Sequence, residues 1–162
     1  MRPMASGDER AEIPAGLDGE GLTVGVVRAR WNDEIVERLA QGVSRGLEAL
    51  KVAGVIEVSV PGSFEVPLAA KYLAESGRVD AVICLGVVIR GETTHYELVS
   101  EEAARGVMDV QLSSGVPVAF GLLTVEDEAQ AMARSEGPGG HNVGEEAALV
   151  GVEMARLRTA LG

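Results

Sequence analysis

At 162 residues the chain is long enough for one domain with a real core and too short for two independent ones. A net charge of −11 without any basic cluster excludes binding to a phosphate backbone, which depends on concentrated Lys and Arg. With 46% hydrophobic residues, only 3% aromatic and 21 glycines, the core must be built from Val, Leu, Ile and Ala, as in parallel sheets covered by helices. The single cysteine, Cys84, lies inside an apolar run. It cannot form an intramolecular disulfide and reads as a small buried hydrophobe compatible with a reducing cytoplasm. The longest apolar runs, such as 81–89, stop well short of the ~20 residues a membrane span requires. Acids occupy the N-terminus where a secretory signal would be apolar, so a cytoplasmic chain is expected.

Residues 1–21 scatter Pro3, Gly7, Pro14, Gly16, Gly19 and Gly21 among charges without a period, which predicts a flexible arm ahead of a single α/β domain at 22–162. Four short β-branched runs follow, at 22–29, 56–60, 81–89 and 116–125. Between them, Ile35, Leu39, Val43, Leu47 and Leu50 recur at helical spacing, with Asn32 or Asp33 as the start signal. Further helices are predicted from about Val66 to Ala74, Thr94 to Leu112 and Gly144 to Leu161, with a shorter one across Glu126 to Arg134. The last carries Val150, Met154, Leu157 and Leu161 in line, and that stripe is expected to be its packing face. Alternating strands and helices give right-handed βαβ units and a parallel, doubly wound sheet with helices on both faces.

In such a sheet the strand-to-helix loops share one rim, so Arg30 to Asp33, Pro61 to Glu65, Ile89 to His95 and Gly121 to Thr124 are expected to converge. Trp31, the only tryptophan, can stack on a flat heterocycle there or serve as a helix-end staple. Glu65 can accept hydrogen bonds from a hydroxylated ligand or act as an ordinary first-turn acid. The amides of Glu92, Thr93 and Thr94 fall at a helix N-terminus and suit an anion, while the missing Walker lysine disfavours triphosphate chemistry. His95 enters the same helix, where the dipole lowers its proton affinity and Glu92 and Glu97 oppose that effect. It is either a poised acid/base or a structural histidine. His141, in EGPGGHNVG, reads as part of a flexible loop, and the two histidines and one cysteine show no metal spacing.

RWND at 30–33, PGSFEVP at 61–67, LGVVIRGETTH at 85–95, GVPVAFGLLT at 115–124 and the final helix together resemble the 6,7-dimethyl-8-ribityllumazine synthases over about Gly21 to Leu161. The resemblance implies a flavodoxin-like three-layer sandwich around a four-stranded parallel sheet. It also implies condensation of a ribitylaminopyrimidinedione with 3,4-dihydroxy-2-butanone 4-phosphate, without cofactor or metal, in a pentamer-based homo-oligomer. By the same resemblance Trp31 stacks on the pyrimidine with Asn32 beside it, and Ser63, Phe64 and Glu65 bind the ribityl chain. The backbone of Val88 and Ile89 reads the pyrimidine edge, Glu92 and Thr93 cradle phosphate, and His95 shuttles protons. Phe120 and Arg134 are implied to come from a neighbouring subunit. The chain departs from the family's lysine-bearing loop, reading SEGPGGHNVG after Arg134. Two alternatives stand beside this reading: a riboflavin synthase of the archaeal type, and a catalytically weak flavin-binding or shell-forming homologue.

Overall fold

The structure is a computed structural model that describes residues 13–162. In chain order the elements are β1 (Thr23–Ala29), α1 (Asp33–Ala49), β2 (Gly54–Val60), α2 (Val66–Glu75), β3 (Ala81–Ile89), α3 (His95–Ser114), β4 (Val118–Val125), α4 (Glu128–Ala133) and α5 (Val143–Leu161). A single 3₁₀ turn over Ser63–Glu65 leads into α2. All strands are parallel and ordered β2-β1-β3-β4. β2 begins two residues earlier than its apolar run, because Gly54 and Val55 pair with Thr23 and Val24.

Side-chain alternation along the strands divides the core into two layers. Val24, Val26, Ile83, Leu85, Ala119 and Leu123 face α1 and α5, whereas Val27, Ala29, Val82, Cys84, Val118 and Leu122 face α2 and α3. The result is the expected flavodoxin-like three-layer sandwich. Burial drives the Cys84 thiol up to about 12, so it packs as a hydrophobe and stays protonated.

Two expectations about the second half of the chain are overturned. The stripe of Val150, Met154, Leu157 and Leu161 does not pack on the core; each of these residues is exposed. α5 instead buries Gly144, Ala147, Ala148, Gly151, Val152 and Ala155. Backbone proximity decides this: a Cβ at Gly144 would lie 2.2 Å from the Leu39 carbonyl oxygen, and one at Gly46 would lie 3.0 Å from the Ala148 Cβ. Small residues let α1 and α5 approach closely, which larger side chains would prevent.

The 135–142 loop is not flexible in architecture but knitted together. Asn142 is buried; its Nδ2 donates to the carbonyls of Arg38 and Glu136, both at 3.0 Å, and its Oδ1 caps α5 by accepting from the Glu145 amide. Ser135, also buried, donates to the Ala131 carbonyl and accepts from Arg38 Nε.

Much of the expected N-terminal arm lies outside the described residues. Of the part that is described, Leu17 packs on the core and Arg156 donates to the Asp18 side chain and to the carbonyls of Asp18 and Glu20. No helix among the described residues is long and apolar enough to cross a membrane.

Candidate active site

The strand order places a topological switch point between β1 and β3, since the chain winds outward to β2 on one side and then returns to build β3 and β4 on the other. Ligands of open α/β sheets bind outside the carboxyl ends of the strands at such a point. A cavity of about 580 Å³ opens there. Its walls bring together Trp31 and Asn32 after β1, Ser63, Phe64 and Glu65 after β2, Val88 and Ile89 at the end of β3, and His95 at the start of α3.

Three local devices fix this geometry. The turn after β1 is tied to β2 by the Arg30 amide donating to the Val60 carbonyl and the Trp31 amide donating to the Pro61 carbonyl. The Trp31 ring then lies over Gly62, where a Cβ would approach within 2.4 Å of the indole, so glycine is required by proximity. Trp31 is 64% exposed, which does not fit a packed staple.

Asn32 adopts a left-handed conformation with φ 61° and makes no cap bond. Its Nδ2 instead donates to the Val87 carbonyl at 3.0 Å, spanning the gap where β1 and β3 part. Position 32 is therefore the helix start that the sequence suggests, but its amide is spent on the cavity floor. Asparagine is among the few non-glycine residues that tolerate this backbone region.

Both readings of Glu65 have a physical basis: one carboxylate oxygen accepts from the Gly62 amide at 3.0 Å, fixing the turn, while the side chain still lines the cavity. Ser63 is buried and its hydroxyl has no hydrogen-bond partner among the described residues. Gly86 makes room for it, since a Cβ there would come within 2.5 Å of the Ser63 Oγ. An unsatisfied buried hydroxyl carries a desolvation cost that a ligand or water can relieve.

His95 is exposed and its imidazole has no partner among the described residues. Its amide donates to Thr93 Oγ1 at 3.3 Å, while the amides of Glu92 and Thr93, just outside the cavity, remain without partners. Glu97 does not act on His95 as expected from its position alone, because it is engaged by Arg90. Its carboxyl is held below the usual range, first by its own backbone amide and then by Arg90. Arg90 also binds Glu126 at 2.8 Å and lies 4.3 Å from the Tyr96 ring centroid, pinning both ends of the loop to α3 and to the end of β4.

Not every expected segment lines the cavity. Gly121 to Thr124 lies within β4, in register with Leu85 to Val88, and Gly121 serves close packing beneath Ala147. Phe120 pairs with Cys84, four residues before the rim, or about 13 Å along the strand. Arg134 ends α4, with its Nη1 donating to the Gln130 carbonyl. Neither residue lines this chain's cavity. Leu98, Val99 and Glu102 do line it and were missed from sequence. They lie three, four and seven residues after His95, so the helical period starting at His95 was the available signal. Among the described residues, no group of three or more His, Cys, Asp or Glu side chains is placed to hold a metal.

A model of the 6,7-dimethyl-8-ribityllumazine synthase family matches residues 21–159, from just before β1 almost to the end of α5. The chain belongs to this family. It is 51% identical over 149 residues to the 6,7-dimethyl-8-ribityllumazine synthase of Thermococcus kodakarensis, covering 92% of this chain and 94% of that protein. Against the protein of the same name from Paraburkholderia phytofirmans it is 46% identical over 155 residues, covering 94% and 89%. The lumazine synthase match thus includes every segment that builds the cavity.

Proposed function

We propose that this chain condenses 5-amino-6-(D-ribitylamino)uracil with 3,4-dihydroxy-2-butanone 4-phosphate to give 6,7-dimethyl-8-ribityllumazine, phosphate and water, the penultimate step of riboflavin biosynthesis. The observation that carries this reading is the convergence of an exposed indole, an orphaned hydroxyl and an unpartnered imidazole on one cavity at the switch point. Trp31 stacks on the pyrimidine with Asn32 beside it, and Ser63, Phe64 and Glu65 hold the ribityl chain. The backbone of Val88 and Ile89 reads the ring edge. The open amides of Glu92 and Thr93 receive the phosphate, as free N–H groups at a helix start do.

Condensing an amine with a ketone requires proton transfers as the carbinolamine and imine form and as phosphate leaves, and His95 supplies them with water. Holding two reactants in one cavity contributes much of the remaining acceleration. Phe120 and Arg134 lie away from the chain's own cavity, which supports their donation to the site of a neighbouring copy in a pentamer-based homo-oligomer. A cytoplasmic location fits the unpaired, buried Cys84.

Mixing the purified protein with both substrates and following lumazine fluorescence tests the proposal. Turnover above the spontaneous background is expected, and its absence contradicts the reading. The riboflavin synthase alternative is not favoured by the relatives, and lumazine supplied alone is expected to yield no riboflavin.

A further inference from the structure

The anion end of the site is crowded with negative charge. Among the described residues that line the cavity, Glu65 and Glu102 are carboxylates and none is Lys or Arg. Glu65 is engaged by the Gly62 amide and Glu102 by Arg105. Beside the turn that opens α3 stand three more acids: Glu92 within it, Glu97 two residues beyond His95, and Glu126 one residue past β4. Each exposed unit charge within about 6–8 Å of a dianion costs roughly two- to fivefold in affinity. A phosphate drawn to the amides of Glu92 and Thr93 therefore needs these acids neutralised.

Arg90 is the last residue before the turn, and its amide donates to the Val125 carbonyl at 2.8 Å. Its Nε lies 2.8 Å from the Glu126 carboxylate, its Nη1 is paired with Glu97, and its guanidinium sits 4.3 Å from the Tyr96 ring centroid. One planar fork thus bridges the end of β3, the segment after β4 and the first turn of α3, which the single ammonium of a lysine would not do. Between these anchors the amides of Gly91 to Thr94 donate to no group among the described residues.

We propose that Arg90 is a positioning residue for the phosphate-bearing reactant, acting through Glu97 and Glu126: it neutralises both carboxylates and holds them at the flanks of the turn, so that the open amides meet the anion unopposed. This rests on the enzymatic reading above. Arg90 spends two of its three nitrogens on carboxylates and works without touching the reactant.

Steady-state kinetics with both substrates, beside calorimetric titration with inorganic phosphate, test the role. R90Q is expected to raise KM for the butanone phosphate and Kd for inorganic phosphate about tenfold, while kcat and KM for the pyrimidine stay within about twofold. Salt screens exposed carboxylates, so the gap from wild type should shrink to about threefold between about 0.05 M and about 0.5 M salt. R90K keeps the charge without the fork and should fall between, at about threefold, which keeps the test valid where R90Q folds poorly. R90Q/E97Q/E126Q removes the freed charges and should return both constants to within about twofold of wild type. Unchanged constants in R90Q, an equal rise in KM for both substrates, or a loss confined to kcat overturns the inference. So does a triple variant no better than R90Q, the result expected if Arg90 binds phosphate directly or only holds the fold. Phosphate binding by wild type without lumazine formation contradicts the enzymatic reading, whereas turnover with an unaffected R90Q contradicts this inference alone.

Discussion

His95 and His141 both sit beside glycine-containing loops that open a helix, yet their surroundings differ. His95 is exposed at a cavity, its imidazole unpartnered, at the end of a loop with open amides. The His141 side chain is only 14% exposed, and its Nε2 lies 3.2 Å from the Glu146 carboxylate in a loop held by the buried Asn142 and Ser135. A histidine available for proton transfer and one committed to holding a loop together are separated by what meets the ring, a distinction that residue type alone does not carry.

The largest expected effect breaks this comparison at its functional end. His95→Ala is expected to lower kcat by about 10²–10⁴-fold, the usual range for an acid/base group, while His141→Ala stays within about threefold of wild type. Steady-state turnover of both variants checks this, and a similar loss in both would erase the distinction. At the structural end, Asn142→Ala removes one cap and two carbonyl contacts. It should cost about 2–3 kcal/mol and lower the thermal midpoint by roughly 5–10 °C, with little change in KM. Calorimetry beside kinetics reads both quantities.

A smaller effect sharpens the description of the cavity. Gly86→Ala drives a methyl group against the buried Ser63 hydroxyl and should raise KM for the ribitylated pyrimidine about tenfold, while overpacking of about 1–3 kcal/mol lowers the midpoint by several degrees. The smallest effect concerns acid. Because the folded state lowers the Glu97 carboxyl, the clamp to Arg90 contributes stability above the ordinary glutamate range and loses it as pH falls through the lowered value. Carboxyl chemical shifts should place the Glu97 titration below that of exposed glutamates, with Arg90→Gln moving it upward.

The strands and the sequence of helices were legible because strand and helix periods are written in the positions of Val, Ile and Leu. The loops that meet at the switch point were legible for the same reason, since a parallel sheet sends them to one rim. Three features were not. α5 packs through glycine and alanine, so its large apolar residues marked the outer face. The 135–142 loop takes its order from Asn142 reaching the carbonyls of Arg38 and Glu136, long-range contacts that leave no local pattern. Asn32 has the residue type of a helix cap, and only the separation of β1 from β3 turns its amide toward Val87.

Because Trp31 is the only tryptophan, its fluorescence reports directly on the cavity. Titration with a non-reactive ribitylated pyrimidine should quench and shift that emission with saturable behaviour, as the ring stacks on the indole. Saturable binding that leaves the Trp31 emission unchanged would contradict the account, because the ring would then be held somewhere other than at the switch point between β1 and β3.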